Sequence, residues 1–115
     1  MNSRIRAALT CVGFTAAAVL GLSNPAAAAE TAGVWMNGSH SFNIRTSAST
    51  SGSLIATVSN TSTRVPCTTT PCTRNNEGGS YSCWSGGPSG NDWVKVNYNG
   101  RIGWVAIYCV EAGRI

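Results

Sequence analysis

Charge is scarce in this chain, and acid is scarcer than base. Its 115 residues include eight Lys or Arg, four Asp or Glu and a single His. The acids are Glu30, Glu77, Asp92 and Glu111. A carboxylate pair for glycoside hydrolysis has little to be built from. The lone histidine, His40, sits in the turn-like stretch 37–41 with no carboxylate or cysteine beside it in sequence. It reads as a solvated surface group. No Gly-x-Ser-x-Gly and no phosphate-cradling glycine loop occurs. The cysteines contain no C-x2-C pair, which argues against structural zinc. No catalytic constellation is legible, so neither enzyme, metal nor cofactor is expected. The basic residues Arg45, Arg64, Arg74, Lys95, Arg101 and Arg114 are spread along the chain, whereas a nucleic-acid-binding domain clusters them. Against the four acids they leave residues 30–115 at +2, compatible with mild attraction to anionic cell-wall polymers and equally with ordinary solubility.

Long apolar runs are also absent, with one exception. Residues 9–22 carry no charge, follow Arg4 and Arg6, and end before Pro25 and four alanines, Ala26 to Ala29. That run is shorter than the ~20 residues a spanning helix needs, and the pattern is that of a secretory signal peptide. Residues 1–29 are therefore expected to be removed, with cleavage after Ala28 or Ala29. A secreted or extracellular protein, possessing no membrane segment after cleavage, is expected.

Residues 30–115 make one small domain, of a size that is often stapled. Four cysteines remain after export: Cys67, Cys72, Cys83 and Cys109. An even count in a short exported chain reads as two disulfides. Cys72–Cys83 with Cys67–Cys109 is preferred by a narrow margin over Cys67–Cys72 with Cys83–Cys109.

No stretch after residue 29 has a helical period. Strand signals are plentiful. Residues 93–98 alternate, with Val94, Val96 and Tyr98 on one face and Trp93, Lys95 and Asn97 on the other. Asn99-Gly100 then gives the strongest short-range hairpin signal, and residues 101–105 form the return strand. A short turn around Ala106 and Ile107 leads to a last extended piece, 108–110. Residues 34–36, 42–45, 54–58 and 64–67 read as further strands, with Pro66 at an edge. Residues 46–53 and 59–63 read as polar loops, and 68–92 as a long loop or irregular hairpin. Five to six short antiparallel strands with turn signals between them indicate a small all-β barrel.

Phe-Asn-Ile-Arg at 42–45, Trp-Val-Lys-Val at 93–96 and Gly-Trp-Val at 103–105 resemble, in that order, motifs of the bacterial Src-homology-3-like domain. The resemblance covers residues 42–110. It implies a small Src-homology-3-like barrel, and a domain that recognises cell-wall or other extracellular peptides as a monomer. Three departures stand out: Ala56 replaces a usual glycine, the 68–92 segment is far longer than usual, and four cysteines are added.

The 68–92 insertion exceeds the ~12–15 residues usual for unstructured loops, and loops of that length are functional or disordered; the cysteines in and beside it predict order. Tyr81 and Trp84 within it are candidates to line an aromatic groove with Trp93, Tyr98 and Trp104. Trp93 should be partly exposed. Trp84 has a second reading, packed back on the barrel over a disulfide. Trp104 reads as core or groove floor ahead of direct ligand contact, a largely structural position in the resembling family, and Trp35 caps the barrel or extends the groove. The leading functional expectation is a binding module; the alternative is a stapled inhibitor or effector that presents 68–92 to a partner protein.

Overall fold

The computed structural model describes residues 31–115. The signal peptide expected over 1–29 lies outside the described residues. The strands are β1 (Ala32–Met36), β2 (Phe42–Arg45), β3 (Leu54–Val58), β4 (Val65–Pro66), β5 (Arg74–Asn75), β6 (Tyr81–Ser82), β7 (Ser89–Gly90), β8 (Trp93–Tyr98), β9 (Arg101–Ala106) and β10 (Val110–Arg114). The described chain is all-β, relieved by one 3-10 turn at Ile107–Cys109. Three sheets form. One has five strands in the order β3-β2-β9-β8-β5, one has three in the order β10-β1-β4, and β6 pairs with β7 alone. They do not close into one continuous barrel. Ten strands stand among the described residues where five to six were expected: seven overlap the stretches read as strands, and the insertion adds three two-residue strands paired locally or along β8.

The β8–β9 hairpin is the frame. Asn99 and Gly100 hold φ of 53° and 89°, the doubly positive pair a type I′ turn requires. The ladder then runs from Arg101 opposite Tyr98 to Ala106 opposite Trp93. β9 also pairs with β2, Trp104 opposite Arg45. β2 pairs with β3 through a bulge: Ile44 faces Ala56 but Arg45 faces Leu54, leaving Ile55 as the extra residue. Gly103 makes room for it. A Cβ there would stand 2.6 Å from Ile44 Cγ2 and 2.8 Å from Ile55 Cδ1.

The two larger sheets share one core. Val34, Met36, Val65 and Val110 come from the three-stranded sheet, and Phe42, Ile44, Val58, Val94, Val96 and Val105 from the five-stranded one. Ile44, Val34, Val65, Val94, Val96 and Val105 are fully buried, each worth ~1.5–3 kcal/mol over an exposed side chain. Cys67 joins the sheets: its N–H donates to Ala32 O of β1 (2.9 Å), and it bridges Val96 of β8. Pro66 sits on an edge strand, as expected. The final strand differs from expectation. Residues 107–109 form the 3-10 turn, and β10 runs to Arg114 because its backbone pairs with β1 from Val110–Met36 to Arg114–Ala32.

The disulfides are Cys67–Cys72 and Cys83–Cys109. The preferred pairing, Cys67–Cys109 and Cys72–Cys83, is corrected. After Cys67 bridges Val96, the chain loops out through 68–72 and rejoins the same edge of β8 in the same direction, where Arg74 faces Val94. That return brings Cys72 back to Cys67. It leaves Cys83, on the β6–β7 hairpin, to reach the 3-10 turn. Two disulfides are compatible with an extracellular protein.

Candidate functional site

Strand alternation puts Asn43 and Arg45 of β2, Trp93 and Lys95 of β8, and Trp104 and Ala106 of β9 on the face of the five-stranded sheet away from the core. One half of that face is roofed. The insertion crosses over Trp93, and Gly79 N–H donates to Ala48 O in the 46–53 loop (2.8 Å). Gly78 lies flat on the indole, so that a Cβ there would be 2.3 Å from Trp93 Cδ1. The indole N–H donates to Gly79 O at 2.9 Å. Tyr81 meets the ring edge-on, with centroids 5.3 Å apart and planes at 78°.

Trp93 is therefore 2% exposed, not partly exposed. Its direction away from the core was legible; the roof over it was not. Tyr81 is 7% exposed. Its hydroxyl donates to Asp92 O (2.9 Å) and accepts from Tyr108 N–H (3.3 Å). Burial, foremost, raises its pKa above the ordinary tyrosine value, with the Asp92 charge adding to the rise and the Tyr108 N–H opposing it. Tyr108 is raised too, first because its hydroxyl donates to Asp92 Oδ2 at 2.6 Å. Arg74 Nη2 stands 3.5 Å from the same oxygen. The insertion is thus fastened at Trp93, at Asp92 and at Cys109.

Beneath the roof's rim lies a hollow of about 140 Å³. Its walls include Asn43 and Arg45, Thr50 of the polar loop, Tyr81 and Ser82 of the insertion, and Trp93. Ligand pockets for drug-sized molecules run to ~300–1,000 Å³, so this one holds a single side chain or a chain end. Arg45 is its cation. Its Nη1 donates to Gly52 O at 3.1 Å, and among the described residues it has no carboxylate partner.

The five aromatic candidates do not form one groove. Tyr81 and Trp93 line the hollow together. Trp84 turns away and stacks on His40, with centroids 3.5 Å apart and planes at 3°; its other neighbour is Gly87, whose Cβ would lie 2.3 Å from Trp84 Nε1. His40 is thus half-buried against an indole, not a solvated turn residue. Tyr98 packs against the core. Trp104 lies on the open half of the outer face, with Lys95 Nζ 5.9 Å from its ring. Trp35 carries the Arg64 guanidinium 4.7 Å from its ring.

Asn43, Arg45, Thr50 and Ser82 were not among the site residues expected from sequence. For Asn43 and Arg45 the signal was present: the alternation that turns Phe42 and Ile44 inward turns them outward. Thr50 and Ser82 carry no such signal.

No family model, curated protein or solved structure matches this chain.

Proposed function

We propose that residues 30–115 form a secreted, non-enzymatic binding module of Src-homology-3-like barrel architecture, whose hollow takes the end of a cell-wall or other extracellular peptide. Two features support the barrel: a single core shared by both larger sheets, and the Cys67–Val96 bridge that links them at one side. One observation carries the binding reading. The hollow sits where the insertion meets the outer face of β2, and it places an Arg45 guanidinium, without a carboxylate partner among the described residues, beside Asn43, Thr50 and Ser82. A planar guanidinium fixed by one backbone oxygen retains donors suited to a peptide carboxylate.

Sedimentation with purified cell walls tests it. Depletion of the wild-type protein from the supernatant is expected, and Ser82→Trp, which fills the hollow from its exposed rim, should restore recovery. Complete recovery of the wild type removes the cell-wall reading. The alternative, an effector that presents the insertion to a partner protein, draws on the fastening of that segment. It gains if Ser82→Trp leaves binding intact while substitutions on the outer surface of residues 74–81 abolish it.

A further inference from the structure

The five-stranded sheet carries no acid. Its strands read Leu-Ile-Ala-Thr-Val, Phe-Asn-Ile-Arg, Arg-Ile-Gly-Trp-Val-Ala, Trp-Val-Lys-Val-Asn-Tyr and Arg-Asn, with four cations and not one Asp or Glu. The described acids lie elsewhere: Glu77 and Asp92 fall between strands of the insertion region, and Glu111 on the other sheet. The insertion roofs the half of the outer face around Trp93. The other half is open. There the register lines up Leu54, Arg45, Trp104 and Lys95 as one row across four strands. Strands stand ~4.8 Å apart, so the Arg45 and Lys95 backbones lie on either side of that of Trp104, about 10 Å from each other. Among the described residues neither of these two cations is in an ion pair, whereas Arg74 is paired with Asp92. Leu54 at the end of the row is 54% exposed, and Ile102, beside Trp104 on the same face, is 48% exposed.

We propose that this open half docks an extended acidic peptide in which apolar side chains stand between acids. The chemistry selects that occupant. Two unpaired cations around an aromatic ring favour anions that bring apolar surface with them. Exposed Leu54 and Ile102 add nothing to a polyphosphate, so the row fits a peptide better. A second copy of this chain is disfavoured, since two acid-free basic faces repel. In an extended Glu-x-Leu-x-Glu segment, side chains on one face are ~7 Å apart, which sets Leu on Trp104 and the acids towards Arg45 and Lys95. This surface is separate from the hollow, although Arg45 borders both.

The test is titration of the 15N-labelled protein with an end-blocked Ser-Glu-Ser-Leu-Ser-Glu-Ser peptide, followed by amide and indole shifts. Shifts are expected at the Trp104 indole N–H, Lys95 and Ile102, and binding at least tenfold weaker in Lys95→Glu. Ile102→Glu, at an exposed position, should weaken it similarly and serves as the second variant if Lys95→Glu does not fold; spectral dispersion reports the fold of each. A peptide with Lys in place of Glu should give no shifts. Equal binding by that peptide or by sodium polyphosphate, unchanged binding in the folded variants, or shifts confined to Thr50 and Ser82 would each overturn the proposal. Ser82→Trp should leave this titration unchanged, so failure here and failure of the hollow are told apart.

Discussion

Replacing Gly78 with Ala should destabilise the protein, and the sign of the effect is diagnostic. Gly78 is not in the left-handed region, so Ala is conformationally acceptable there. In an undocked loop, Gly→Ala stabilises by ~0.4–1 kcal/mol, because the unfolded chain loses freedom. Here the added Cβ would stand 2.3 Å from Trp93 Cδ1, 2.7 Å from Trp93 Nε1 and 2.7 Å from Ala48 O. Neither a fully buried indole nor a backbone carbonyl is a flexible neighbour. Overpacking of this kind costs ~1–3 kcal/mol. Displacing the insertion also loosens the Trp93–Gly79 hydrogen bond, worth ~0.5–1.5 kcal/mol. A net loss of about 2–3 kcal/mol corresponds to a Tm lower by ~10–20 °C in a domain of this size. Urea and thermal unfolding, followed by far-UV circular dichroism, measure it. If the insertion instead lifts off while the sheets persist, acrylamide quenching of tryptophan fluorescence should rise. A Gly78→Ala protein as stable as wild type or more so, with unchanged quenching, would refute the docking of the insertion on Trp93.

Three further outcomes follow from the geometry. Removing Cys83–Cys109, which spans 26 residues, should cost more than removing Cys67–Cys72, which spans five; the chain-entropy relation gives ~3.5 against ~2 kcal/mol, readable from denaturation of the two double Cys→Ser variants. Gly103→Ala should destabilise by ~1–3 kcal/mol through collision with Ile44 and Ile55, and an additional Ile55→Ala should recover part of the loss. Tyr81 and Tyr108 have raised pKa values in the folded state, so the fold binds their protons more tightly than the unfolded chain does. Their contribution is present below the unfolded value of about 10 and is lost as pH rises through the folded values. Stability should fall at alkaline pH, and Tyr81→Phe should flatten that fall, as seen by denaturant midpoints across pH 8–12 (about this range follows from the same reference value).

The hairpin was legible because two independent signals agreed, strict alternation over residues 93–98 and Asn99-Gly100 directly after it. The all-β class was legible for the same local reasons. Trp93 shows the limit of alternation, which reports a direction and not an exposure. Whether an outward side chain meets water depends on a segment 14 residues away, Gly79, that happens to cross it. The disulfide pairing failed for a related reason. Spacing alone did not show that the chain loops out after Cys67 and rejoins the same edge of β8. Beyond Val110, β10 left no buried apolar trace, since Glu111 to Arg114 are exposed and are ordered by backbone pairing with β1. Of the candidate site, Tyr81 and Trp93 were found as aromatics. Arg45 is visible within its motif, but nothing in the sequence shows that the insertion and the 46–53 loop close around it.

The order of the three-stranded sheet governs how the domain comes into being. Its central strand, β1, opens the described chain, and one of its two partners, β10, closes it. Val110 pairs with Met36 and Arg114 with Ala32, so the ladder spans nearly the whole of the described residues. Such non-local pairing raises contact order and slows folding towards the millisecond-to-second range seen for all-β domains. During synthesis, a chain that stops short of residue 110 leaves one edge of β1 unpaired and Val110 missing from the core. An incomplete chain of this kind is an adhesive edge rather than a small domain, and its first strand waits for its last.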